Sequence, residues 1–376
     1  MPCLRFTLTL NRHLFFIIDP NHYMKTSTVL SHRQLLAIDR DYKKAAKAAN
    51  LHYLCDNTRG ISRTKKGKAY SYSFKNKTVR EKETIERIRK LAIPPSWSKV
   101  WISPADNGHI QATGIDLNGR KQYRYHPEWN KLRNETKFHR LMEFGKCLPD
   151  MRKKMKKDLA DKDLSERKVL STVITLMEQT YIRIGNNGYE KLYGSYGLTT
   201  LKDKHVSISK EKLHFSFVGK KGIEHTISVK DKRLARIIKQ CKDIPGKELF
   251  QYYDDKGERR TIDSGKVNAY IKEISGGEFS AKDFRTWAGT LNALECFMKL
   301  SPPESESDIK ANVISVLEAV SLKLGNTRTI CRKYYVHPGL IAMYEQNRLL
   351  PLISKTKSPK TSNLEKVLLD ILKKCL

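Results

Sequence analysis

The sequence changes texture at His126-Pro127, and this change constrains the fold more than any single motif. Upstream, from residue 51 to about 125, short runs alternate aromatic and polar positions between Gly, Asn and Asp. They are HYL (52–54), YSYSF (70–74), VWI (100–102), HIQA (109–112) and QYRY (122–125). A period of two bounded by turn formers predicts strands of a small β-rich unit. A basic helix over 32–50 leads into it, and the stretch 80–92 predicts a helix that stops before Pro94-Pro95. Downstream of Pro127, Phe138, Leu141, Met142, Phe144 and Leu148 recur at mostly three- and four-residue steps. From about Ser165, Val169, Leu170, Val173, Leu176, Met177 and Tyr181 share one helical face. Residues 205–209, 213–218 and 223–229 predict strands, with GKKG (219–222) turning between the last two. Ser280 and Asp283 form a capping box that opens a helix through Phe284, Trp287, Leu291, Leu294 and Phe297, and a further helix runs from about 307 to 324. The fold class is therefore α+β: residues 1–23 a dispensable extension, 24–132 a β-rich domain, 133–350 a mainly helical domain with a β-hairpin, and 351–376 a polar linker and terminal helix.

Charge narrows the partner. The 72 Lys and Arg outnumber the 40 Asp and Glu, giving +32, while 39% apolar content is that of a folded protein. Such a field favours a polyanion, and release of condensed counterions makes that binding salt-dependent. A basic ribosome- or membrane-associated protein shares this composition. The seven cysteines contain no CxxC pair, which predicts a reducing compartment without a disulfide or zinc framework. No run of 18 apolar residues predicts a membrane span, and the apolar patch at 14–18 lacks a following small-residue cleavage site. Met24 begins a more conventional polar start.

The stretch 322–338 carries the chemistry. Gly325 predicts a left-handed helix end, Asn326 or Thr327 can cap the next helix, and Tyr334 and Tyr335 precede Val-His-Pro338. This corner is also compatible with simple packing. A tyrosine can be a covalent nucleophile, but with a pKa near ~10 it needs cationic neighbours. Arg183, at a Gly-Asn-rich helix exit, can reach a phosphate or merely complement a helix dipole. Lys220 stands at a hairpin tip, where a solvated turn lysine is the plain alternative. Arg285 lies one turn into an amphipathic helix beside Phe284 and Trp287, where Asp283 or Glu295 could pair with it. Together the four residues make a phosphoryl-transfer set without metal: two guanidiniums on non-bridging oxygens, an ammonium for the leaving oxygen, and a phenol to attack.

This set resembles the type IB DNA topoisomerase family in its compact viral and bacterial-type form. The resemblance spans about 51–338 and is carried by IPPSW (93–97), VWI (100–102), GHIQATGIDLNGRKQYRYHP (108–127), YIRIGN (181–186), GSYGLTTLKDKHV (194–206), FVGK (217–220), KDFRTW (282–287), LGNT (324–327) and CRKYYVHP (331–338). It implies that Tyr335 is the nucleophile, Arg183 and Arg285 clamp the scissile phosphate, and Lys220 is the general acid. Tyr334 is the alternative nucleophile. Viral and nuclear members have histidine where this chain has Asn326, so a phosphate hydrogen bond from Asn326 lacks cationic assistance. Arg328 replaces a helix-starting proline common among relatives. Gln122, Tyr123 and Tyr125 match a segment that enters the major groove in the family, and Tyr189, six residues after Arg183, is a weaker candidate for a phosphate contact. The implied protein is a C-shaped clamp, monomeric on double-stranded DNA and intracellular (the nucleoid, if bacterial). It relaxes supercoils through a 3′-phosphotyrosyl intermediate without ATP, metal or other cofactor. A GxxxxGK[ST] loop is absent from the sequence. Tyrosine recombinases use the same set, but usually place histidine where Lys282 stands. A non-catalytic basic DNA-binding protein needs the charge and not the constellation.

Overall fold

A computed structural model describes residues 31–39, 41–67, 69–117, 119–353 and 361–375. The extension to residue 23, the start at Met24 and the linker residues 354–360 lie outside the described residues, as does the side chain of Tyr189.

The basic segment expected as one helix forms two, α1 (His32–Asp39) and α2 (Tyr42–Ala48). Asp41 caps the second, accepting from the backbone of Lys43 and Lys44. Beyond them lie β1 (Ile61–Lys66), β2 (Ala69–Phe74), β3 (Lys77–Thr78), α3 (Lys82–Lys90), β4 (Ser98–Ile102), β5 (Ile110–Ile115) and β6 (Lys121–Tyr125). The strands form one antiparallel sheet in the order β3-β2-β1-β4-β5-β6, with Ile61, Val100, Ile102, Ala112 and Ile88 of α3 as its buried core. The IPPSW motif has a local reason: the Arg63 guanidinium donates to the carbonyls of Ile93, Pro94 and Trp97, fixing the loop between α3 and β4.

At His126-Pro127 the strands give way to α4 (Pro127–Leu159). His126 caps it and Pro127 occupies the first turn, where its missing N–H costs nothing. The helical body follows with α5 (Glu166–Thr180), α6 (Asn187–Tyr193), the sheet of β7 (Val206–Ser209), β8 (Lys212–Val218) and β9 (Glu224–Lys230), then α7 (Lys232–Lys242). A small ribbon, β10 (Gln251–Tyr253) and β11 (Arg259–Thr261), precedes α8 (Ser264–Ser275), α9 (Ala281–Phe297), α10 (Glu306–Leu324), α11 (Arg328–Tyr334), α12 (Pro338–Glu345), α13 (Leu350–Ile353) and α14 (Thr361–Cys375). One large apolar core joins these elements, from Phe138 of α4 to Leu372 of α14. The expected capping box is present, Ser280 donating its N–H and hydroxyl to the Asp283 carboxylate. No helix among the described residues is long and apolar enough to cross a membrane.

An ionic chain ties α1 to the start of α9. Asp39, with its side chain 5% exposed, accepts from Arg133 and Arg140, and Arg140 donates its other nitrogen to Asp283 at 2.8 Å. Removing one partner of such a network strands the others. Asp39→Asn should destabilise the fold by about 2–3 kcal/mol, measured as a shift in urea unfolding at constant m-value. An unchanged midpoint would show that the network contributes nothing net.

Candidate active site

Two helix ends are joined at the site through Arg285. α5 closes at Tyr181, whose backbone is left-handed (φ 58, ψ 15) although it carries a large side chain. α10 closes at Gly325 (φ 56, ψ 54), where left-handed geometry costs little. Of the two caps the sequence allowed, Thr327 is the one used, its hydroxyl accepting from Ile330 N to start α11.

Both arginines donate into this junction. Arg285 is 6% exposed, and its two terminal nitrogens donate to the carbonyls of Tyr181 and Leu324. The ion pair considered for it does not form: Asp283 receives Arg140, and Glu295 receives Lys299 at 2.6 Å and Lys323 at 3.5 Å. Arg285 Nε is buried without a hydrogen-bond partner among the described residues. Arg183 donates to Gly325 O at 3.0 Å and to Asn326 Oδ1 at 2.6 Å. Burial and the neighbouring Arg285 charge bring its pKa down to about 10. A guanidinium that is held by carbonyl oxygens, rather than by a carboxylate, keeps its charge for an anion.

Tyr335 follows the last residue of α11, and its N–H donates to Cys331 O. Its carbonyl lies 3.1 Å from Thr290 Oγ1 of α9, and the same hydroxyl accepts from His337 N. Gly289 makes room: a Cβ there would stand 2.6 Å from Tyr335 O. Two basic groups face the Tyr335 ring, Arg285 Cζ at 5.2 Å and Lys137 Nζ at 5.6 Å from its centre. The Tyr334 ring meets Lys333 beside it in sequence, and the Tyr334 carbonyl accepts from Lys137.

Lys220 sits in the tight turn between β8 and β9, where Lys221 (φ 66) and Gly222 (φ 74) are left-handed. Lys220, Arg183, Gly185, Asn186, Arg120 and Gln122 help line one cleft of about 650 Å³. Gln122 thus lies with Arg183 and Lys220, its amide held by Asp116 at 2.9 Å. Alternation along β6 puts Tyr123 and Tyr125 on the other face, stacked at 5.8 Å and exposed (43% and 38%), so they are not a buried aromatic pair.

Sequence reasoning missed Lys137, Thr290, Gly289 and His225. The His225 ring stacks on Phe217 and fills the space between Gly219 and Gly325, where added Cβ atoms would lie 2.6 and 2.9 Å away. Burial, then Arg183 and Arg285, hold its pKa below the ordinary value. Lys137 had no visible signal, since it is one of many charged residues along α4.

Residues 126–356 match the family model of the eukaryotic DNA topoisomerase I catalytic core, and residues 69–116 match that of the bacterial DNA topoisomerase IB N-terminal domain. The chain is 32% identical over 297 residues to DNA topoisomerase 1B of Acanthamoeba polyphaga mimivirus, covering 77% of this chain and 88% of the relative. To DNA topoisomerase 1B of vaccinia virus (strain Copenhagen) it is 27% identical, over 65% of this chain and 75% of the relative. The similarity to DNA topoisomerase 1 of Mycosarcoma maydis is 23% over 52% of this chain and 22% of that longer protein. The chain belongs to the type IB DNA topoisomerase family.

Lys137 gives the site a measurable pH signature. Burial first, then Lys282, lowers its pKa from an ordinary 10.5 to about 7, against a smaller opposing effect of Asp283. Between those values the unfolded chain holds a proton that the folded protein has released, so stability rises with pH across that window. Lys137→Met lacks this titration. Its stability relative to wild type should be highest at pH 6 and decline towards pH 9.5 in urea unfolding; a pH-independent difference would contradict the buried lysine.

Proposed function

We propose that this protein relaxes supercoiled duplex DNA by cutting and resealing one strand through Tyr335, without ATP or metal. The observation that carries the reading is the convergence of Arg183 and Arg285 on the Gly325 corner, with Arg285 over the Tyr335 ring. In the cleavage step the Tyr335 oxygen bonds to phosphorus while the P–O5′ bond breaks. The phenol proton leaves to solvent, and Lys220 gives a proton to O5′, which departs with the bonding electron pair. Arg183 and Arg285 offset the charge of the pentacoordinate transition state. Asn326 holds Arg183 through Oδ1; its Nδ2, whose bond to Leu324 O is long at 3.3 Å, is the donor for a non-bridging oxygen. The 3′-phosphotyrosyl bond conserves the energy of the diester, so the reverse attack by O5′ reseals the strand.

The β-rich and helical parts, divided at about residue 132, act as two arms of a C-shaped clamp on DNA, with residues 351–376 as an appended linker and helix. Gln122 works in the cleft, Tyr123 and Tyr125 at the major groove, and Tyr189 near the phosphate. One nucleophile per chain suits a monomer acting inside the cell on one strand at a time.

Relaxation of a supercoiled plasmid in excess EDTA without ATP tests the reading. Intact DNA binding with no relaxation would overturn it, and dependence on two specific sites would indicate a recombinase. Tyr335→Phe should abolish the covalent adduct while leaving salt-dependent binding intact. Should Tyr334→Phe do this instead, the neighbouring tyrosine is the nucleophile. Lys220→Ala should slow cleavage by roughly 10²–10⁴-fold, as expected for loss of a general acid.

A further inference from the structure

Tyr181, in an unfavourable backbone conformation, bonds Arg285 through its carbonyl and Asn292 through its hydroxyl. Left-handed backbone is a rare state for a bulky residue and persists only where its surroundings enforce it. At this position it turns the chain out of α5, so that the Tyr181 carbonyl meets Arg285 and the next residue but one is Arg183. Arg183 O and Ile184 O are then held by the backbone of Leu198 and Thr199 at 2.9 and 2.7 Å.

What enforces the turn lies on two other helices. The Tyr181 hydroxyl accepts from Asn292 Nδ2 at 3.1 Å. Asn292 is 4% exposed and lies two helical turns beyond Arg285 on α9, hence on the same face. Its amide orientation is fixed from both ends: Nδ2 also donates to Ala288 O, and Oδ1 accepts from Lys323 Nζ at 2.7 Å. A lysine can only donate and a carbonyl can only accept, so no flipped amide satisfies both. Lys323 is followed by Leu324, Gly325 and Asn326, which receive Arg285 and Arg183. The circuit therefore closes through α5, α9 and α10, and each member of it adjoins a contact of an arginine.

We propose that Tyr181 is a positioning residue that sets both phosphate-binding arginines at once, its hydroxyl bond to Asn292 locking the left-handed turn. This rests on the reading of Arg183 and Arg285 as the clamp on the scissile phosphate. Releasing the lock leaves the reacting groups in place but lets the two guanidiniums drift, and displacements near 1 Å are enough to lower rates by ~10²-fold.

The test is single-turnover cleavage of a duplex at saturating enzyme by wild type, Tyr181→Phe, Asn292→Ala and the double variant. Each single variant should cleave about tenfold to a hundredfold more slowly with its DNA dissociation constant within about twofold of wild type. The double variant should be no slower than the slower single, because both remove the same Tyr181–Asn292 bond. Two substrates separate positioning from general damage. A 5′-bridging phosphorothiolate, whose thiolate leaves without a proton, should rescue Lys220→Ala and not Tyr181→Phe. A methylphosphonate at the scissile position removes the anionic oxygen the arginines offset, so the Tyr181→Phe defect should shrink there. Wild-type rates for both variants, or a defect equal on all substrates with a lowered thermal midpoint, would overturn the proposal. If wild type itself forms no adduct, the reading of the clamp fails first, and the two failures are thus distinct.

Discussion

The site depends on an electrostatic arrangement in which two helix C-termini, rather than acidic side chains, hold Arg183 and Arg285. The last carbonyls of any helix lack intrahelical donors and carry the negative end of its dipole. At the ends of α5 and α10 those carbonyls receive Arg285 and Arg183. Each such interaction is worth about 0.3–1 kcal/mol at a surface and up to ~2 kcal/mol when partly buried. A carboxylate would hold the arginines more firmly, but it would also neutralise them and repel an incoming phosphate. Dipoles position the guanidiniums while leaving their charge in place. The two candidate acids nearest in sequence, Asp283 and Glu295, are engaged by Arg140, Lys299 and Lys323.

α9 is the hub of this arrangement. Its first turn is capped by Ser280 and pulled by Arg140 towards α1; its next carries Arg285; then Gly289 and Thr290 seat the backbone of Tyr335. Asn292 lies one further step along. A helix that supplies a cation, a gap, a hydroxyl and an amide within eight positions cannot shift along its axis without disturbing all four.

The parts visible in the sequence were those with a local cause. The turn at Gly325, the box at Ser280 and Asp283, the entry at His126-Pro127 and the β8–β9 turn each depend on residues a few positions apart, and their chemistry is legible in order. The convergence of Arg183, Arg285 and Tyr335 was reachable only through the resemblance, since no spacing along the chain places them together. Lys137 escaped because its contact with the Tyr334 carbonyl spans 197 residues, and His225 because the arginines beside it come from separate segments of the chain. The left-handed turn at Tyr181 escaped for the opposite reason: the glycines and asparagines that advertise such a turn follow it, and the strained residue is a tyrosine held by a distant amide. The ion pair weighed for Arg285 was the sound local inference, and it lost to carbonyls that sequence cannot show.

α14 bears on how the protein can be handled. Glu365 accepts from Arg152 of α4 and from the indole of Trp287 of α9, and Arg152 also engages Glu178 of α5, so the last described helix is fastened to α4 and α9 and, through Arg152, to α5. A carboxy-terminal tag is tolerable on such a helix only if its apolar face, with Leu364, Leu368, Ile371 and Leu372 buried, stays in place. Trimming these residues as though they were a tail would uncover the back of α9, and the loss would register in solubility before it registered in chemistry.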